Sequence, residues 1–437
     1  MDAESYRSNR SYRSYTWRFI YLAALLGGIC LYALFPGMTA WNHRTNNDFK
    51  HFYLGAQVLR QHGNPYDADL LLMGAREFGM DRINPYVYLC FTGQVMIPLA
   101  LMSPQRASDT WFLLNHVFLF LGFGLLLASR KEPVGVREAA LAVLLSALFF
   151  PWYRSLSAGQ LNGVLFLCAA LTWWAWRRGW APLAGATLAF AVLFKLSPAI
   201  WVLYFLLKKE WKVVGWSVAF GVLFLGASLL HTPPSVQLDF LPLMKQMSYG
   251  RSTWENYDAE FYRDPYNQSA NSLMHHLFTE SHLTQPWVDL GPGAANGLTR
   301  IFALAATVAL LIVFWKSRRA APDEQEATGD IEALRFSLFI FLSLLLPSLC
   351  WDHYLVQLFF PVLFIVFALE RRRSWVGGVV FAGGWYVAAI PIPFDQPRFQ
   401  QGLGILVMSA KFWAEWALLG LVVVLILKRD RPRGLGI

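Results

Sequence analysis

Asp48, Lys50 and His51 fall within four residues, directly after the first apolar stretch of membrane length. A carboxylate held beside an imidazole can take a proton from a hydroxyl, and nearby cations can meet a growing negative charge. The run 45–67 that carries them continues as an amphipathic segment and closes on the turn residues Gly63, Asn64, Pro65, Tyr66 and Asp67. Asp48 equally suits the N-cap of a helix beginning at Phe49, because aspartate accepts from the free backbone N–H groups of a first turn.

Further uncommon polar residues stand at the ends of other apolar stretches. They are Asn84 and Tyr86; Arg154, Gln160 and Asn162; Lys195; Asp258, Asn267, Gln268 and Asn271; and Asp352 and His353. Each belongs to the expected external end of a different span, so the fold is expected to gather them into one cavity. A cavity lined by a carboxylate, cations and amides at the membrane surface suits a substrate with a lipid tail and a polar head.

The elements that must position these residues are membrane helices. The 437 residues are 56% hydrophobic and 15% charged, with a mean hydropathy of +0.38. A soluble chain carries about a quarter charged residues. Several apolar runs reach the roughly 20 residues that cross a bilayer, and none shows the period of two required of a barrel strand. The fold class read from this is an all-α polytopic membrane protein. The net charge of +9 sits in short clusters between spans, where lysine and arginine set orientation; no nucleic acid is expected as partner. The first apolar run has no small-residue cleavage site after it and is read as a retained span. The four cysteines form no CxxC pair; Cys90 and Cys350 share the expected external side, which leaves a disulfide between them open.

Charge sidedness gives a basic cytoplasmic tail over 1–16, a single transmembrane domain over 17–427, and a basic cytoplasmic tail over 428–437. The first span is expected near 17–35, ending at Pro36-Gly37. The external loop 36–108 holds a helix whose stripe of Phe49, Phe52, Tyr53, Ala56 and Leu59 is expected to lie on the membrane surface. The region 182–207, taken as one span, puts Lys208, Lys209 and Lys212 outside. Taken as two short helices broken at Lys195-Leu196-Ser197-Pro198, it returns them to the cytoplasm, and Pro198 favours the break. Lys195 then stands at the external side or at membrane depth facing a cavity. About twelve crossings result, with a second external loop over 232–296.

Five short motifs, in order, resemble glycosyltransferase family 87, the bacterial polyprenyl-phosphate-mannose-dependent enzymes with the GT-C membrane fold. They are the run Asp48, Phe49, Phe52, Tyr53, Ala56, Gly63, Pro65, Tyr66, Asp67; Gly159-Gln160-Leu161-Asn162; Ala184-Gly185 through Lys195 and Pro198; Asn267-Gln268-Ser269; and Trp351-Asp352-His353-Tyr354. The resemblance implies a GT-C bundle of about twelve transmembrane helices that passes a sugar from a polyprenyl-phosphate donor to a glycolipid or glycan acceptor outside the membrane, with inversion. It implies Asp48 as the general base. Lys195, His353 and Arg154 are the candidates to meet the donor phosphate. His51, Tyr66, Asp67, Gln160, Asn162, Asn267, Gln268 and Asp352 are the candidates to line the substrate cavity. A monophosphate leaving group leads to the expectation of no metal and no cofactor.

Other readings stand beside these. Lys195 can snorkel to headgroups, Tyr66 and Asp67 can build a turn, Gln160 and Asn162 can cap the next helix, and Asp352 can orient His353. A transporter or lipid flippase is the alternative function. It should expose polar residues to both faces in turn, whereas here they crowd one.

Overall fold

Apolar runs without strand alternation fold as helices. The computed structural model describes residues 3–77, 79, 83–251, 261–318 and 330–428, with side chains from Trp17 onward. Among the described residues no strand forms; an isolated antiparallel bridge joins Asn267 to Trp351. Asp258 and all but the first residue of the tail over 428–437 lie outside the described residues, while the tail over 1–16 is helical from Ala3 onward.

Among the described residues, six helices are long and apolar enough to cross a membrane: Trp17–Asn42, Pro104–Ala128, Trp211–His231, Gly291–Arg318, Asp352–Arg372 and Ala410–Leu427. Val136–Ala147 and Phe150–Ala158, bent by 64°, add a seventh if they count as one span. Pro151, in the first turn of the second half, suits a helix start but cannot continue a preceding helix. Cys90–Ala100, Ala181–Phe194, Ala199–Lys208 and Trp375–Ala389 are apolar but shorter, so helix length alone supports fewer than the twelve crossings expected.

The break in the 182–207 region is where the lysine sidedness put it. Ala181–Phe194 ends, Lys195 is extended at φ −156° and ψ 134°, and Ala199–Lys208 follows from Pro198. The expected stop at Pro36 is not observed. The first helix runs on to Asn42 through a π-helical stretch, Ala33–Thr39. Proline has no N–H to give, and the wider i→i+5 turn takes its ring without ending the helix. The expected surface helix is also different. Phe49–Arg60 forms, but Phe49, Phe52, Tyr53, Leu54, Gly55, Ala56, Val58 and Leu59 are all buried. It packs beneath Cys90–Ala100, so protein rather than lipid covers its apolar stripe.

The centre of the bundle is Asp330–Leu345, every residue of which is buried. A helix apolar on all sides belongs inside, and Ala199–Lys208, Phe359–Arg372 and Ala410–Leu427 surround it. Trp211–His231, with only 17% of its span window buried, faces outward. The polar start of the central helix is closely bonded. Glu332 accepts from Tyr204, from Lys208 at 2.7 Å and from Arg335 at 2.8 Å. Asp330 accepts from Arg130 at 3.2 Å and Arg371 at 2.8 Å. All four cysteines are free thiols, which removes the Cys90–Cys350 disulfide.

Candidate active site

The strap that carries Asp48 is fixed by backbone bonds to the end of the helix Phe150–Ala158. Thr45 and Asn46 both donate N–H to Ser157 O at 3.0 Å, and Asp48 donates N–H to Ala158 O at 3.0 Å. Ser157 Oγ closes the strap on His43 O at 2.9 Å. The helix turns out at Gly159, in the left-handed region at φ +71°, where a Cβ would stand 2.5 Å from Phe49 Cβ. Only glycine meets both demands, and Trp111 Nε1 holds the turn by donating to Gly159 O at 2.9 Å.

Asp48 sits at the N-cap position of Phe49–Arg60 but does not cap it. Its backbone is helical, φ −88° and ψ −34°, and its side chain makes no cap hydrogen bond. A capping residue normally takes an extended conformation that turns its oxygen back onto the helix. Asp67 does behave that way: Oδ1 accepts from Asp69 N at 2.9 Å and Leu70 N at 3.2 Å.

Asp48 opens instead into a cavity of about 960 Å³. Asp48, His51, Arg154, Gln160, Asn162, Lys195 and His353 all line it. Its other wall is apolar, with Leu193, Phe194, Ile200, Trp201, Leu344 and Leu346. Lys195 stands with Nζ 3.3 Å from the centre of the Tyr354 ring, a cation–π contact. Burial lowers the pKa of His51 from the ordinary histidine value, with Asp48 opposing the shift. His51 is therefore neutral near pH 7, where it can share a proton with a hydroxyl.

Five expected lining residues do not line the cavity. Asp67 caps the helix Ala68–Glu77, and Tyr66 donates its hydroxyl to Tyr88 O at 2.8 Å. Both serve the turn. Asn267 donates to Ser348 O at 3.2 Å and accepts from Cys350 N at 2.9 Å. Gln268 N donates to Cys350 O at 2.7 Å, and its side chain donates to Met408 O at 3.0 Å. These two amides brace the segment that leads to His353. Asp352 is 2% exposed and lies behind the wall. One of its oxygens is 3.6 Å from His353 Nδ1 and 3.8 Å from Arg154 Nε. Those spacings exceed a direct hydrogen bond. Arg154 Nε and both ring nitrogens of His353 are buried without a hydrogen-bond partner among the described residues.

The family model of glycosyltransferase family 87 matches residues 86–347, more than half of the chain. The chain belongs to glycosyltransferase family 87. The match takes in Arg154, Gln160, Asn162 and Lys195; Asp48 and His353 lie outside it, on segments that complete the same cavity. A polyprenol-phosphate-mannose-dependent α-(1-2)-phosphatidylinositol mannoside mannosyltransferase of Mycolicibacterium smegmatis is 22% identical over 315 residues, which is 68% of this chain and 66% of that protein. A polyprenol-phosphate-mannose-dependent α-(1-2)-phosphatidylinositol pentamannoside mannosyltransferase of Mycobacterium tuberculosis is 25% identical over 350 residues, 78% of this chain and 70% of that protein. The chain thus spans just under two thirds of the first of these relatives. No solved structure matches it.

The family 87 cavity also holds residues to which sequence reasoning gave no site role, Tyr354 among them although it ends a quoted motif. Tyr88, Tyr354 and Gln357 line it. Gln357 donates to Asn162 O at 3.3 Å and leaves Oε1 without a hydrogen-bond partner among the described residues. Neutral side chains near or within apolar runs carry no charge signal, so spacing alone did not mark them. Lys411, 0% exposed at the start of the last described helix, had a signal that was not used: a lysine inside an apolar run.

Proposed function

We propose that this chain transfers a mannosyl group from a polyprenyl-phosphate donor to a hydroxyl of a glycolipid acceptor, with inversion, at the external face of the membrane. The observation that carries the reading is the free carboxylate of Asp48, which shares one cavity with Lys195, Arg154 and His353 beside an apolar wall. The family and the printed activities of its relatives supply the sugar and the lipid class.

Asp48 takes the proton of the acceptor hydroxyl as its oxygen attacks the anomeric carbon. The new carbon–oxygen bond forms opposite the bond to phosphate. That bond breaks, and its electron pair leaves with the polyprenyl phosphate. Lys195, Arg154 and His353 meet the charge that grows on the leaving oxygen, and because they are already in place no reorganisation is needed. The apolar wall takes the first part of the prenyl chain. His51 holds the acceptor hydroxyl toward Asp48.

A transfer assay tests this. Membranes with wild type or Asp48→Asn receive labelled polyprenyl-phosphate mannose and a lipid extract as acceptor. Product from the wild type, falling on the order of 10²–10⁴-fold in the variant at equal expression, is expected. Equal transfer by both proteins removes Asp48 from the chemistry.

A further inference from the structure

Asp352 is surrounded by basic groups that make no direct bond to it. Arg154 Nε lies at 3.8 Å, His353 Nδ1 at 3.6 Å and Lys411 Nζ at 3.8 Å. Arg154 and His353 approach one carboxylate oxygen from the cavity side; Lys411 approaches the other. Lys411 Nζ has no hydrogen-bond partner among the described residues. A buried, unbonded ammonium is expensive, and a lysine used simply to neutralise Asp352 would close to a direct bond of about 2.8 Å.

The start of its helix is fixed at the backbone. Gln268 Oε1 accepts from Lys411 N at 3.1 Å, and Gln268 Nε2 donates to Met408 O and Pro265 O at 3.0 Å each. One side chain thus fixes the first turn of Ala410–Leu427 against the Asn267–Trp351 bridge. The other charged and titratable groups near Asp352 are Asp264 on the preceding loop and Cys350 on its own segment. Glu415 follows one turn beyond Lys411, is fully buried and makes no bond to it.

We propose that Lys411 is a positioning residue for the leaving phosphate: it balances Asp352 from behind, so that Arg154 and His353 keep their unmet donors for an anion in the cavity. This rests on the proposed transfer reaction. Without Lys411, Arg154 has about 1 Å to travel to a direct bond with Asp352. The pair would then cancel, and the cavity would lose both a donor and a net positive charge.

The probe is polyprenyl phosphate, the released lipid, bound to the full chain in detergent, with uncharged polyprenol as control. Lys411→Met is expected to raise the half-saturating polyprenyl phosphate at least about tenfold and to leave polyprenol binding unchanged. The double variant Asp352→Asn/Lys411→Met, which removes both charges, is expected to recover to within about threefold of wild type. A purely structural lysine would make the double variant no better than the single. That result, or wild-type phosphate binding by Lys411→Met, overturns the proposal. Should Lys411→Met not fold, the double variant and Lys411→Arg carry the test: both must bind within about threefold of wild type, and weaker binding by either overturns it. A wild type that binds polyprenyl phosphate yet transfers no sugar defeats the proposed reaction and leaves the Lys411 comparison readable.

Discussion

At one end of the bundle Glu332 takes bonds from Tyr204, Lys208 and Arg335, while Asp330 takes bonds from Arg130 and Arg371. At the other, Asp352 has Arg154, His353 and Lys411 around it, each at 3.6–3.8 Å. The residue types are alike, and the carboxylates Glu332, Asp330 and Asp352 are all buried. The first set closes on itself, so its groups have nothing left to offer a ligand. The second stays open, and the unmet donors of Arg154 and His353 face a cavity. A buried polar group costs free energy until it is bonded. An open set therefore stores that cost where an anion can recover it.

Three experiments probe this contrast beyond those at Asp48 and Lys411. The largest expected effect is at the closed end. Glu332→Ala leaves Lys208 and Arg335 without their shared carboxylate and should destabilise the fold by about 3–5 kcal/mol. Thermal unfolding in detergent reads this, while the donor KM of the surviving protein should equal that of wild type. A raised KM at full stability would break the contrast.

The second experiment uses pH. His275 and His276, on the helix Ala270–Phe278, are buried outside the cavity. Burial lowers their pKa values to about 4 and about 3. The unfolded chain binds protons near pH 6.5, where the folded one does not. Stability is therefore full above that pH and falls as pH drops toward 4, by up to about 1.4 kcal/mol per pH unit for each histidine. Melting temperatures between pH 7.5 and 4.5 should decline. His276→Gln should flatten the decline, and an unchanged slope would remove the pair as its source.

The smallest effect is expected at Asp67, which lies near Asp48 in sequence but serves as a cap. Asp67→Ala should cost about 1 kcal/mol of stability and leave kcat unchanged. A large loss of turnover would move Asp67 into the site.

Much of this contrast was legible in the sequence, and the reasons differ by residue. Lysine sidedness placed the break at Lys195, because charge position is set by the membrane and not by packing. Asp48, His51, Arg154, Gln160, Asn162, Lys195 and His353 were readable for the same reason: polar residues at apolar ends. Asn267 and Gln268 carry the same kind of signal, yet they bond to backbone. Nothing in a sequence says whether an amide faces a void or a carbonyl. The π-helical passage through Pro36 and the burial of Phe49–Arg60 depend on what packs alongside, so neither could be read locally.

The central helix has a consequence for how the molecule is made. Asp330–Leu345 is buried on every side, and its neighbours come from both earlier and later in the chain. When it leaves the ribosome, Phe359–Arg372 and Ala410–Leu427 do not yet exist. It must wait beside lipid or the insertion machinery until they arrive. The same late helix delivers Lys411. Completion of the bundle and completion of the charged cluster around Asp352 are therefore one event in biosynthesis, so a chain stopped before residue 410 lacks both.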